Sequence, residues 1–442
     1  MSQLNHIALL AILMVCGVSD AVAQPPDTSQ AGAHQHDMRT SHADLFPPRD
    51  ASGSAWLPDD TPMFGVSRTW RQWTIAIHGA GVAQLLYEPG DEHRTGGASS
   101  RQFSVPNWAM VMGRRMAGPA RVGLRAMVSL DPVTIPGCGY LSLLATGETC
   151  DGDTIHDRQH PHDLLMELAA DYDRPLRGTT RWQIYAGLAG EPALGPVAFP
   201  HRPSAALNSI APIGHHWLDA THITFGVVTA GVYDRRWKAE VSAFNGREPD
   251  EHRGGIDIGP LDSVSGRVSF LPTSRIALQV SAGRLREAEL EFDSQPRTNV
   301  DRLTASATYH RPFARGFWAS TLAVGINAAR ELIPEGSFDS RTAAWLFETS
   351  VTLRERHTWF GRAEAVAKPA HDLHAHEFAT SVFTVAKLQA GYVREFDARH
   401  GLIPGLGASA SVSLVPLELE SRYGGRASPG FGFFFSVRPH RH

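Results

Sequence analysis

Three things are scarce in this chain, and each scarcity removes a class of protein. Long apolar runs are missing. The stretch from Ile7 to Val18 is short, and no later stretch reaches the ~18 residues that a membrane-crossing helix needs, which argues against helical spans. Charge of one sign is missing as well. The 41 Lys and Arg nearly balance the 45 Asp and Glu, for a formal net charge of -4, so neither a nucleic-acid partner nor a polybasic membrane anchor is indicated. Cysteine is limited to Cys16, Cys138 and Cys150. Cys16 falls inside the early apolar run, and the other two lie close together, so in an exported chain they are expected to form one disulfide. A nucleophile motif such as G-x-S-x-G is also absent, which leaves little sign of an enzyme.

What is present begins with an export signal. Residues 1–23 carry the apolar run and end on Ala21-Val22-Ala23, a small-residue cleavage site before Gln24. The segment has no Lys or Arg before the run, and Val15 ahead of Cys16 does not suit a lipobox. Residues 24–69 have no sustained period and are rich in Pro, Asp, Ser and His, so a poorly ordered periplasmic arm is expected there.

From Trp73 the chain alternates apolar with polar or small residues. Sixteen segments follow the rule: 73–87, 104–115, 121–131, 162–173, 179–190, 221–233, 236–246, 262–271, 275–285, 300–311, 316–327, 342–353, 358–367, 383–395, 403–415 and 429–438. Their connections alternate short and long. The long ones are 88–103, 132–161, 191–220, 247–261, 286–299, 328–341, 368–382 and 416–428. An even strand number with short periplasmic turns and long extracellular loops is the pattern of an outer-membrane barrel. The expected fold is therefore all-β: an antiparallel transmembrane β-barrel of about 16 strands over 70–442, with both termini periplasmic. The 41 glycines and 29 prolines suit many turns, and 42% hydrophobic residues suffice when only the outer face must be apolar.

Parity then assigns charges to the interior, because Arg or Lys facing lipid costs roughly 2–4 kcal/mol at mid-membrane. Lumen-lining residues are expected to be Arg125, Glu167, Asp171, Arg181, Lys238, Glu240, Arg267, Arg302, Arg362 and Glu364, with Asp131, Glu348, Lys387 and Glu395 on the same face. Such a set fits a water-filled pore for small polar solutes, and it fits equally a lumen sealed by ion pairs.

Histidine is abundant, at 22 residues, and it gathers in two long loops. One loop ends His156-Asp157-Arg158-Gln159-His160-Pro161-His162-Asp163. The other carries His201, His215 and His216, with Asp219 and His222 just beyond. Neutral imidazole and carboxylate together suit transition metals such as Zn or Cu, so His156, His160, His162, His215, His216, Asp157 and Asp163 are candidate ligands at a constriction. The spacing is not a standard zinc pattern, and loop histidines also serve as hydrogen-bonding struts of a plug. Ser204 and Ser209 lie near these histidines, which keeps a lipid-interface hydrolase open as a rival reading.

The runs Ile155–Leu164, Gly190-Glu191-Pro192-Ala193-Leu194-Gly195-Pro196 and Gly214-His215-His216-Trp217-Leu218-Asp219 resemble an uncharacterised family of Gram-negative outer-membrane barrel proteins that shares the HDRQHPHD loop motif. The resemblance covers most of the chain from about residue 52. It implies location and fold, and it carries no activity. The last strand, with Gly432, Phe435 and Val437, resembles the C-terminal signal read by the barrel assembly machinery, although a short Arg-Pro-His-Arg-His tail follows it. The partners implied are outer-membrane lipid, that machinery, and small polar solutes or metal ions; a plugged structural or metal-sequestering surface protein is the remaining alternative.

Overall fold

The computed structural model describes residues 45–88, 100–289, 297–333, 336–378 and 380–440. The expected export signal and the first half of the arm lie outside the described residues. The chain begins with β1 (Val66–Trp70), β2 (Trp73–Tyr87), β3 (Arg101–Ser104), β4 (Asn107–Ala117) and β5 (Ala120–Val128). A separate hairpin follows, β6 (Tyr140–Cys150) and β7 (Asp153–Gln159). Next come β8 (Leu165–Arg177), β9 (Thr180–Gly190), β10 (Thr224–Tyr233), β11 (Trp237–Phe244), β12 (Ser263–Thr273) and β13 (Ile276–Glu289). The remaining strands are β14 (Thr298–Phe313), β15 (Gly316–Ile333), β16 (Gly336–Leu353), β17 (His357–Pro369), β18 (Val382–Glu395), β19 (Leu402–Leu414) and β20 (Ala427–Pro439).

Sixteen of these strands, β2, β4, β5 and β8 to β20, close into an antiparallel barrel. The ring is completed where Gly81–Tyr87 of β2 pair with Phe431–Val437 of β20. β1 pairs with the first residues of β2 and β3 with its last, so both broaden the wall beside the closure. Closure satisfies every ladder, which a sheet in contact with lipid requires.

The residues behind the ladder follow the alternation. On β11, Val241 is 64% exposed while its neighbour Glu240 is 4% exposed. Leu124, Val268, Leu322, Trp345 and Phe433 repeat that outward exposure on other strands. The protein is apolar outside and polar within, the inverse of a water-soluble sheet protein. At one end the strands join through tight turns. Gly118 and Gly178 take φ of +61° and +58° there, a left-handed conformation that a side chain would resist. We call this the turn end and the opposite one the loop end.

Two expected loops carry strand structure. The stretch 328–341 is mostly β-structure: β15 and β16 pair without a break from Gly316 opposite Leu353 to Ile333 opposite Gly336. Arg330, Asp339 and Arg341 are exposed there, so the hairpin continues where both faces are polar and the period-two signal fades. The loop 132–161 contains the β6–β7 hairpin, stapled by the Cys138–Cys150 disulfide with its Cα atoms 5.7 Å apart. Asp131, expected at the end of a strand, instead opens a helical turn, Asp131–Thr134, beyond β5.

The expectation of a poorly ordered arm is corrected for its second half. Residues 45–64 fold against the inner wall. Trp56 packs on Leu271 and Ala277, Leu57 and Ala55 pack on Val197, and Phe46 packs on Ala76. Proline and aspartate gave this stretch a solvated look, yet its few large apolar residues are the ones that bury.

Loop 191–223 also turns inward and is the main plug. Leu207 meets Phe360, Val393 and Phe434. Trp217 and Leu218 meet Leu143 and Leu144 of the hairpin together with Ala344, Leu346 and Val366 of the wall. At Gly325 of β15 the plug lies directly on the wall: a Cβ there would sit 2.1 Å from the carbonyl oxygen of Trp217.

Candidate functional site

The charged residues assigned inward by parity are spent on the plug, on segment 45–64 and on one another. Arg125, Glu167, Lys238, Glu240, Arg267, Arg302, Arg362 and Glu364 are buried, and Asp171 and Arg181 are half-buried. Arg267 donates to Gly195 O at 3.3 Å and to Ser54 Oγ at 3.0 Å. Lys238 donates to Ser54 O. Arg362 donates to Ile210 O at 2.6 Å, and Glu364 accepts from Gly214 N–H at 3.2 Å. Arg125 lies 3.7 Å from Glu167 and 3.3 Å from Asp171, Arg181 donates to Asp173 at 2.5 Å, and Arg302 donates to Asn327 at 2.9 Å. These groups meet protein partners, as buried charge must to offset desolvation.

The histidines of the two loops meet at the centre. His160 lies 5.9 Å from His215 and 5.8 Å from His216, ring to ring. His215 is 5.4 Å from His216 and 5.1 Å from His222, which is 5.5 Å from His162. Each ring is held through Nδ1: His215 by Asp219 at 2.8 Å, His216 by Glu248 at 2.7 Å, His162 by Asp131 at 2.8 Å, His222 by Asp219 O at 2.9 Å, and His160 by Pro161 O at 3.2 Å. The Nε2 atoms of His160, His215, His216 and His222 are buried and have no hydrogen-bond partner. A ring anchored on one nitrogen and bare on the other is the arrangement of a metal-ligating imidazole.

Burial disfavours the charged form of three of these rings, His160, His215 and His222. Burial, with Arg253 and His216 nearby, holds His160 well below the ordinary imidazole range. Burial lowers His215 although Asp219 opposes it, and burial beside His215 lowers His222 further. Asp219 resists its own burial because Arg202 and His215 hold it well below the carboxylate range. Asp163 is pushed up to about 8 by burial, only partly offset by Arg253, whose guanidinium is 3.7 Å away. The remaining two candidates have other partners. His156 stacks on His374 at 3.7 Å, and Asp157 accepts from the Leu144 N–H at 2.8 Å, since both side chains ride on β7 of the hairpin.

Sequence reasoning missed two acids. A ring nitrogen of His216 and one oxygen each of Glu248 and Glu289 lie within 4.8 Å of one another. Glu248, in a loop, has Asp250 and Glu251 beside it, and Glu289, ending β13, lies between Glu287 and Glu291, so no local pattern singles either out. The sulfurs of a second cluster, Cys138, Cys150 and Asp151, are bonded to each other and offer no thiolate. Toward the turn end, a cavity of about 180 Å³ is lined by Met63, Met110, Met112, Trp108, His78 and His201 among others. His201 packs 4.8 Å from Trp108, and burial beside His78 takes it down to about 3.

No family profile matches this chain, and no curated protein matches it. Several solved structures do. It is similar to an anion-selective porin from Comamonas acidovorans, at 9% identity over 84% of this chain and 100% of that one, with a TM-score of 0.45. It is similar to Salmonella typhi OmpF, solved with daunomycin, at 8% identity over 84% and 100%, with a TM-score of 0.48. The outer membrane channel DcaP of Acinetobacter baumannii gives 8% identity over 85% and 100%, and a TM-score of 0.46.

The hydrolase rival gains no support from Ser204. Its hydroxyl is buried and bonds Thr321 at 2.8 Å and Glu348 at 2.9 Å, tying the plug to the wall.

Proposed function

We propose that this chain is an outer-membrane barrel of the porin type, both termini periplasmic, that holds a transition-metal ion such as Zn or Cu at the histidine-rich centre of its plug. Small polar solutes pass when the plug yields. The observation that carries the metal reading is the set of four buried imidazoles with Nδ1 anchored and Nε2 bare. Membrane location rests on the outward apolar face, the closed sheet and the unequal connections at the two ends. The inward charges support a yielding plug and not a permanently open pore, because Arg267, Arg362 and Glu364 are spent on plug contacts and others on pairs with one another.

Protein purified from membranes without chelator is expected to carry stoichiometric metal, and planar-bilayer recordings are expected to be silent until the plug is disturbed. A metal-free protein that cannot be loaded would end the metal reading. A large, constant conductance from the intact protein would end the plug reading.

A further inference from the structure

We infer that the cavity behind β2 and β4 at the turn end is a binding site for a small uncharged aromatic molecule, about one six-membered ring in size. The inference is independent of the metal and plug readings, and each can fall without the other.

The inner face of an outer-membrane barrel is polar by default, and β4 breaks that rule. Its inward positions are Trp108, Met110 and Met112, which alternate with the exposed Ala109 and Val111. Directly opposite on β2 stand Ala80, His78 and Ala76. Large side chains thus face small ones across the pair, and a hollow results. Phe46 and Met63 of segment 45–64 and Pro200 of the plug loop close over it. About 180 Å³ is left between them. An apolar cavity of about 150 Å³ stays dry and takes up benzene, so one ring fits.

The charges in the lining have protein partners already. Among the described residues they are Asp50, Arg114, Arg125 and Arg438. Arg114 donates to Asp50 at 2.6 Å, Arg125 lies 3.3 Å from Asp171, and Arg438 donates to Glu395 at 2.6 Å. Thr61 is bonded to His310 at 2.7 Å. The His201 ring is kept uncharged by burial beside His78. A charged guest would lose its hydration here and gain no free counter-charge.

What remains to meet a guest is thioether and ring. Met63, Met110 and Met112 are adaptable, and their sulfurs favour the edges of aromatic rings. Trp108 adds an aromatic wall. Position points to the same class. The edge of β2 passes from β1 to β20 between Ile77 and Gly81, and His78, Gly79 and Ala80 at that handover all line the cavity. The lining continues to Val66 and Ile77, a cross-strand pair exposed on the outer face. The cavity is therefore approached from the apolar side of the wall, where uncharged aromatics partition and ions do not.

The test uses full-length protein in lipid nanodiscs, titrated with fluorobenzene and with 4-fluorobenzoate and followed by fluorine NMR. Wild type is expected to show one saturable site for fluorobenzene and none for the benzoate. Ala206→Phe fills the cavity from the plug side and Ala76→Leu from β2. Each is expected to weaken fluorobenzene binding at least tenfold. Met63→Ala enlarges the cavity and is expected to admit 1-fluoronaphthalene, which wild type excludes. Heat-modifiable migration on gels reports the folded barrel in each variant. Non-saturable uptake by wild type overturns the inference, as does equal affinity in both filled variants. Tighter binding of the benzoate than of fluorobenzene overturns the uncharged class. If the variants do not fold, crystals of wild type with bromobenzene decide: bromine between Trp108 and Met112 supports the site, and bromine only elsewhere overturns it.

Discussion

Arg202 of the plug donates from Nε to Glu348 of the wall at 2.6 Å, and from Nη1 to Asp219 at 2.5 Å, with no side-chain exposure. One guanidinium thus joins barrel, plug and the carboxylate that holds His215. Arg202→Met leaves two buried carboxylates short of a partner and is expected to destabilise the plug by about 3–5 kcal/mol. The readout is planar-bilayer recording: conductance steps should appear in the variant and be absent from wild type. A silent variant would show that the plug is fastened elsewhere.

Gly325 permits the Trp217 carbonyl to rest on the wall. Gly325→Val places two methyl groups and a Cβ in that contact, and overpacking of this kind typically costs 1–3 kcal/mol. Protease sensitivity of loop 191–223 is expected to rise while the barrel keeps its heat-modifiable migration. Unchanged cleavage would mean the plug does not bear on this strand.

The segment 45–64 should act as a structural part of the barrel. Trp56 sits under Lys238 at 4.6 Å and Arg49 at 4.8 Å, and edge-on to Tyr233 at 5.8 Å. Trp56→Ala is expected to cost about 3–5 kcal/mol in urea unfolding from micelles. A loss below about 1 kcal/mol would be the behaviour of a loosely attached arm.

His201 gives a pH signature. Its folded value of about 3 lies below the ordinary 6.5, so between those values the unfolded chain binds a proton that the folded chain refuses. Acidification below pH 6.5 therefore costs the folded state about 1.4 kcal/mol per unit from this group. His201→Gln should lose less stability than wild type between pH 6.5 and 4.5. Parallel unfolding profiles for the two proteins would mean that His201 titrates normally.

The wall was legible and its filling was not. Alternation such as Lys238, Glu240 and Ser242 against Trp237, Ala239 and Val241 is written in neighbouring residues and is enforced by a water–lipid difference that acts on every strand. Contacts such as Lys238 to Ser54 or Arg202 to Glu348 join residues more than a hundred positions apart, and nothing local marks them. The His156–Asp163 run did point to the centre, since His160 lies there beside His215 and His216. It also suggested His156 and Asp157, whose side chains have other partners because β7 is a strand and not an extended loop end. Glu289 was hidden by falling at the end of a strand between Glu287 and Glu291, and Glu248 by lying among the acids Asp250 and Glu251 of an ordinary polar loop.

The closing seam has a consequence for how this molecule is made. β2 and β20 share seven residue pairs, against eighteen between β15 and β16. A plug whose contacts run from Ser242 and Ser281 round to Gln389 and Phe434 cannot be threaded into a finished ring. It has to be wrapped by a curling sheet, so the first and last strands zip around cargo already in place. With as few pairs as join β10 and β11, the seam is one of the two shortest ladders of the cylinder, and ladder bonds part first under load at such lines.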